Sequence, residues 1–345
     1  MDSKYYDGTK LLSLKDINGM TPEIYICTTN RSGGKTTYFG RMLINRFLKN
    51  KEKFGLLYRY SYELDNCADK FFKDIGNLFF PKYTMTSAKR SKGIYHELFL
   101  DKVPCGYAIA INSADQIKKN SHLFSDIKSL IFDEFQSETN HYCPNEVKKF
   151  LSIHTSIARG NNEQVRYLPV YMIANPVTIL NPYYVELGIT DRIKMDTKFL
   201  KGDGFVLEQG YVQTAAVAQK ESGFNRAFKN SQYVMYSAEC VYLNDNHAFI
   251  EKPQGKNRYV VTLKYEGREY AIREYDDYGI VYCDDRVDKT FPIKIAISTE
   301  DHQINYVMLR RNDVLFSNLR YLFEKGCFRF KDLRCKDVIL KALSF

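Results

Sequence analysis

Ten residues constrain this chain more than any others: Thr28-Thr29-Asn30-Arg31-Ser32-Gly33-Gly34-Lys35-Thr36-Thr37. An apolar run, Glu23–Thr28, precedes them. Behind them Lys35–Lys49 carries Phe39, Leu43 and Phe47 at i, i+4 spacing, the pattern of an amphipathic helix. Strand, glycine-bearing loop and helix in that order is the setting of a phosphate-binding loop. Such a loop needs small residues so that backbone N–H groups can curl around a phosphate at a helix N-terminus. It also needs a lysine for the β/γ oxygens and a hydroxyl for Mg²⁺. Gly33 and Gly34 allow the turn, Lys35 is the cation, Thr36 is the metal-facing hydroxyl, and Arg31, Ser32 and Thr37 complete the ATP-binding set. Thr29 stands where the usual pattern has its first glycine. Arg31 brings an extra cation close to the phosphates, which is odd for a generic ATPase.

A second signal lies nearly a hundred residues on, in Ser129-Leu130-Ile131-Phe132-Asp133-Glu134-Phe135. Taken alone, two acids after an apolar run are as readily a solvated turn. Paired with the loop, they read as the strand end where Asp133 holds the Mg²⁺ shell and Glu134 polarises the attacking water. Leu168–Asn175 is a further strand ending in an amide, and Asn175 occupies the γ-phosphate sensor position of an additional-strand ATPase. Arg159, in Ser156-Ile157-Ala158-Arg159-Gly160-Asn161, is an isolated arginine at a helix end. Spacing alone leaves it a surface arginine, but in a ring it could reach a neighbour's γ-phosphate.

Short apolar runs at Glu23–Thr28, Phe54–Arg59, Tyr107–Asn112, Ser129–Phe132 and Leu168–Ala174 alternate with helical stretches, which predicts a parallel α/β sheet over residues 1–203. Gly202, Gly204 and Gly210 break this pattern, and Thr214–Lys229 reads as helix, so residues 204–247 are expected to form a helical linker. From 248 to 345 the pattern is a small α+β domain. It shows a hairpin at Tyr259–Tyr265 and Glu269–Arg273, a strand at Gly279–Cys283, and helices at Asn305–Lys325 and Arg334–Leu343. With 44% apolar and 26% charged residues the chain is globular rather than disordered. No apolar stretch is long enough for a bilayer and the start has no signal-peptide pattern, which predicts a cytosolic protein. The eight cysteines show no zinc spacing, and the close pair His141 and Cys143 is not read as a metal site. The excess of 50 Lys and Arg over 41 Asp and Glu suits a polyanionic partner without demanding one.

These residues resemble a known family, the DNA-packaging (encapsidation) ATPases of small, protein-primed short-tailed phages, the phi-twenty-nine-like group. The resemblance runs over most of the chain. It is carried by the Asn30–Thr36 loop with its internal Arg31, by Asn45-Arg46-Phe47, by Tyr58-Arg59-Tyr60 with Glu63-Leu64, and by Ile131–Phe135. It continues through Pro144–Val147, Ala174-Asn175, Asn181-Pro182-Tyr183, Phe249–Lys252 and Phe328-Arg329-Phe330. It implies a homopentameric ring on the portal of an empty procapsid in the host cytoplasm, translocating double-stranded DNA with ATP and Mg²⁺, and it allows for a structural packaging RNA. It makes Arg159 the trans-acting arginine finger and Lys119 a second cation acting across the subunit interface. Ser61 stands where the relative has a DNA-facing lysine, so Arg59, Lys70, Lys118 and Lys128 are the candidates for DNA contact.

The resemblance also implies an RNase H-like C-terminal domain without nuclease activity. Two-metal cleavage needs several converging carboxylates, whereas Asp276-Asp277 and Asp284-Asp285 read as solvated strand ends. Arg310-Arg311 and the run Arg329, Lys331, Arg334 and Lys336 suit nucleic acid or the portal. Two other readings compete: a terminase-like enzyme with a live nuclease, and a basic nucleic-acid-binding protein whose phosphate loop is vestigial.

Overall fold

The computed structural model describes residues 5–139, 141–159, 164–179, 181–190, 192–193, 197–229, 231–239, 248, 250–310 and 313–343. The chain divides into two compact units, Met1–Leu243 and Asn244–Phe345.

After a short helix α1 (Thr9–Ser13), the first unit lays down β1 (Ile24–Thr28), α2 (Lys35–Asn50), β2 (Lys53–Tyr58), α3 (Cys67–Phe79), β3 (Met85–Arg90), β4 (Tyr95–Leu100) and β5 (Val103–Ala110). There follow α4 (Ala114–Lys119), β6 (Ile127–Asp133), α5 (Glu146–Ile157), β7 (Val170–Ala174), α6 (Pro182–Glu186), β8 (Phe199–Lys201) and β9 (Phe205–Gln209). The unit closes with α7 (Gln213–Glu221), α8 (Gly223–Ala227) and α9 (Gln232–Glu239). Its nine strands form one sheet in the order β3-β4-β5-β2-β6-β7-β1-β9-β8. The six from β5 to β9 are parallel, while β4 and β8 attach antiparallel at the two edges. β7 lies between β1 and β6, so an additional strand separates the phosphate-loop strand from the acidic one, as expected.

Each parallel strand is buried on both faces, which is why it reads as a continuous apolar run. α2 packs Phe39, Leu43, Ile44 and Phe47 onto the sheet, each fully or almost fully buried. Burial at that level contributes about 1.5–3 kcal/mol per side chain.

Three boundaries differ from the sequence expectation. The break at 203/204 falls inside the sheet, because β9 pairs parallel with β1 along its whole length and Gly202 and Gly204 belong to the β8–β9 turn. Thr214–Lys229 is two helices rather than one: Ser222 adopts an extended backbone and its hydroxyl accepts from the Asn225 amide, which starts α8. The last is in the second unit, where α10 spans Val314–Glu324 and begins at an N-cap, Asp313, whose carboxylate accepts from the Leu315 amide. The residues before it include an edge strand, β14 (Val307–Met308).

That second unit also contains β10 (Arg258–Tyr265), β11 (Arg268–Tyr275), β12 (Ile280–Asp284), β13 (Lys294–Ala296), β15 (Phe328–Phe330) and α11 (Leu333–Leu343). Its sheet order is β14-β13-β10-β11-β12-β15. β10, β11 and β12 form the antiparallel meander, and β13 and β14 add in parallel on the far side of β10. β15 adds in parallel to β12 at the opposite edge. α10 and α11 cover one face through Phe316, Leu319, Val338 and Ile339.

Candidate nucleotide site

The phosphate loop is built against its neighbours before any ligand is considered. Ser32 and Gly34 have φ of +61° and +87°, the left-handed region that a chain turning tightly into a helix requires. A Cβ on Gly33 would sit 3.0 Å from both the Thr29 hydroxyl and a Val212 methyl, so a side chain there would have to push its neighbours aside. The Asn30 amide clasps Val212 twice: its Oδ1 accepts from the Val212 N–H at 2.9 Å, and its Nδ2 donates to the Val212 carbonyl at 3.1 Å. Thr29 is fully buried, with its hydroxyl donating to the Asn30 carbonyl at 3.0 Å. The departure from the usual first glycine is therefore a packed side chain.

Lys35 is buried at the start of α2, and its amine donates to Asn175 Oδ1 at 2.6 Å. Thr36 hydrogen-bonds the Asp133 carboxylate, which also feels the Lys35 charge. The loop, the acidic strand end and the Asn175 amide therefore meet at one point, where β1, β6 and β7 end side by side. Burial raises the Asp133 carboxyl above the usual carboxylate range, against the pull of Lys35 and Thr36. Glu134 has φ +55° and its N–H donates to Asp133 Oδ1 at 2.9 Å. Lost solvation, followed by the nearby Asp133 and Glu138 carboxylates, raises its carboxyl as well. A cleft of about 440 Å³ opens beside it, lined by Arg31, Glu63, Glu134, Gln136, Glu138 and Asn175.

These residues suit a magnesium-bound nucleoside triphosphate. The cradle is tight at Gly33, where a Cβ would already meet two side-chain atoms at 3.0 Å. A buried cation stands at the helix start, and the hydroxyl–carboxylate pair Thr36 and Asp133 is the donor set a hard cation takes.

Two expectations change here. Arg31 is not an isolated cation at the phosphate loop: its guanidinium is salt-bridged to Glu138. Glu138 in turn accepts from the Tyr236 hydroxyl on α9 at 2.8 Å, and the Arg31 N–H donates to the Ser237 carbonyl at 3.1 Å. Gln219 on α7 donates to the Ser32 hydroxyl at 3.0 Å. The helices expected to be a linker therefore cap the phosphate loop. Glu138 went unremarked in the sequence, although an arginine inside a phosphate loop calls for a counter-charge and Glu138 lies only five residues beyond Asp133.

Arg59, a candidate for DNA contact, is not offered at the surface. It is buried and paired with Glu146 at 2.9 Å, and Nη2 donates to the Phe135 carbonyl at 2.9 Å.

The other candidates are scattered. Lys118 and Lys119 are exposed on the last turn of α4. Lys70 is exposed on α3 and its amine donates to the Glu63 carbonyl at 3.3 Å. Lys128 stands at the start of β6, about 16 Å of strand away from Asp133. Arg159 is exposed just beyond α5, while Gly160 and Asn161 lie outside the described residues. In the second unit Asp276 and Asp277 are exposed in a turn, as expected. Asp284 is not solvated: it is 1% exposed and salt-bridged to Arg273. Lys331 pairs with Asp285, and Arg329 donates to the Gly326 and Phe328 carbonyls. Arg311 and Phe249 lie outside the described residues.

Fold and site together define a protein with an additional-strand P-loop fold, carrying a second α+β unit. The chain belongs to the family of podovirus DNA encapsidation proteins (Gp16), whose family model matches residues 1–344. It is 24% identical over 340 residues to the DNA packaging proteins of Bacillus phages PZA and phi29, with 97% of this chain and 96% of each relative covered. Among solved structures, a chain of the bacteriophage Phi-29 viral genome packaging motor assembly matches with a TM-score of 0.62 and 22% identity, covering 98% of this chain and 99% of that one. The Phi-28 gp11 DNA packaging motor matches at 0.60 with 17% identity, covering 100% and 99%. These two share the fold across both units.

Proposed function

We propose that this protein is the ATPase of a viral genome-packaging motor, hydrolysing ATP to drive double-stranded DNA into a preformed procapsid. The observation that carries the reading is the junction of Lys35 with Asn175 and of Thr36 with Asp133, in a chain that belongs throughout to a DNA encapsidation family. The loop amides and Lys35 bind and orient the triphosphate. Glu134, facing the cleft, takes the proton of the attacking water. Thr36 and Asp133 would hold Mg²⁺, which when bound would supply charge neutralisation to the phosphate oxygens. Asn175, tied to Lys35, is placed to register the γ-phosphate.

Arg159 and Lys119, both exposed, are read as cations offered to a neighbouring subunit in a ring, with five copies the natural count for this family. The ring would dock on the portal vertex in the host cytoplasm, with room for a structural packaging RNA. Among the described residues no helix is long and apolar enough to cross a membrane. Lys70, Lys118 and Lys128 remain the candidate phosphate-backbone contacts, which would make DNA binding sequence-independent and salt-sensitive.

The test is Mg²⁺-dependent ATP hydrolysis at high protein concentration, with and without double-stranded DNA. Glu134→Gln and Arg159→Ala should each lose DNA-stimulated turnover by about 10³-fold while still binding ATP. Hydrolysis by Glu134→Gln at the wild-type rate would remove the assigned active site and favour a plain binding protein.

A further inference from the structure

Glu134 holds a backbone conformation that side-chain-bearing residues rarely adopt, with φ +55°. Such a conformation persists only where its surroundings over-determine it. Two contacts do so. Its own N–H is taken by Asp133 Oδ1 at 2.9 Å. On the other side, Arg59 Nη2 reaches the Glu134 carbonyl at 3.3 Å and the Phe135 carbonyl at 2.9 Å. The peptide units on both sides of Glu134 are therefore fixed.

Arg59 can do this because it is itself locked. Its Nε donates to both Glu146 oxygens, at 2.9 and 3.2 Å, and its guanidinium lies over the Tyr142 ring at 5.0 Å. Glu146, the first residue of α5, also accepts from the Tyr183 hydroxyl and the Cys143 N–H, both at 2.8 Å. Both members of the pair are buried, and a buried pair of charges is a poor source of net stability. The arrangement instead fixes geometry: a planar fork holds two carbonyls and one carboxylate at once, which a lysine cannot do.

We propose that Arg59, clamped by Glu146, is a positioning residue that sets the main chain at Glu134 so that its carboxylate faces the attacking water. This rests on the reading of Glu134 as general base. It takes Arg59 out of DNA recognition and gives it a role in the hydrolytic step.

The test is a double-mutant cycle in the full-length chain, reading steady-state ATP turnover, ADP affinity by calorimetry and the melting temperature. Arg59→Lys should lower kcat by about 10²-fold with ADP affinity unchanged. In a Glu134→Gln background the same substitution should lower the residual rate by less than about twofold, because there is no carboxylate left to aim. If Arg59→Lys does not fold, Arg59→Met/Glu146→Gln removes both charges and carries the same cycle. Wild-type kcat, or an equal loss in both backgrounds, overturns the inference. So does a defect confined to DNA stimulation with DNA-free turnover intact. Wild-type hydrolysis by Glu134→Gln alone would instead sink the assignment of the base, which is a separate failure.

Discussion

At Thr29 the phosphate loop departs from its usual sequence yet keeps its shape, and the packing explains why. A Cβ on Gly210 would lie 3.2 Å from the Thr29 methyl, so the side chain fills space against that glycine. Thr29→Gly is therefore expected to retain hydrolysis within about threefold and to cost about 1 kcal/mol of stability, from lost burial and added chain entropy; a denaturant midpoint with parallel turnover measurements reads both. Gly33→Ala is the opposite case. Its methyl meets two atoms at 3.0 Å, so the loop must shift, and ADP affinity in calorimetry should fall. The general base makes a pH prediction. A base must be deprotonated, and the Glu134 carboxyl is raised by desolvation and by Asp133 and Glu138. The acid limb of kcat should consequently fall at a pH above the ordinary glutamate value of about 4.3. In the same sense, its contribution to fold stability is complete below that value and is lost as pH rises through the raised one. Glu134→Gln should therefore melt no lower than wild type at neutral pH, with its turnover lost as predicted above.

Among the elements, α5 connects the two ends of the proposed chemistry: its first residue, Glu146, holds Arg59, and Arg159 lies just past its last turn. Its C-terminal carbonyls are closed by Arg166, which is buried. Nη2 donates to the Ile157 carbonyl at 2.9 Å, Nη1 to the Ile127 carbonyl at 2.5 Å, and its N–H to Ala158. A cation there satisfies orphan carbonyls and the negative end of the helix. Arg166→Met should cost about 1–3 kcal/mol in a denaturant midpoint and lower kcat without changing ADP affinity; a shift under about 0.5 kcal/mol would show that α5 ends without this clamp. Elements of this kind were unequally legible. β1, β6 and β7 announce themselves because burial on both faces demands apolar runs. β3 is Met-Thr-Ser-Ala-Lys-Arg, a polar edge strand held by β4, and has no such signature. The glycines at 202 and 204 looked like a domain break because a tight hairpin and a linker use the same residues. Arg59 looked like a surface cation because its partner, Glu146, lies 87 residues away and only the fold brings them together.

Over the whole molecule, the second unit poses the question of whether the chain also cuts DNA. Were the unit an RNase H-like nuclease, metal-dependent cleavage would require several carboxylates converging on one site, built around the central strand. The central strand here, β10, is Arg-Tyr-Val-Val-Thr-Leu-Lys-Tyr, and its parallel neighbour β13 is Lys-Ile-Ala, so neither carries an acid. Thr262 and Lys294 are paired across them. Of the acids on the meander, Glu274 is paired with Arg258, Glu269 accepts from the Tyr306 hydroxyl, and Asp284 is held by Arg273 with Lys252 at 3.9 Å, cationic surroundings that compete with a metal. Asp276 and Asp277 lie in an exposed turn at the far end of β11. The full-length chain should accordingly leave supercoiled DNA intact when incubated with Mg²⁺ or Mn²⁺ at concentrations that support ATP hydrolysis, as read on a nicking gel. DNA binding should persist and weaken steeply with salt, since the excess of lysine and arginine remains. Metal-dependent nicking that disappears in Asp276→Asn/Asp277→Asn would show that carboxylates outside the central strand build a working site, and would make the protein a cutting enzyme as well as a motor. Nicking that survives that change and a Glu134→Gln control would point to a contaminating nuclease and leave the domain inert.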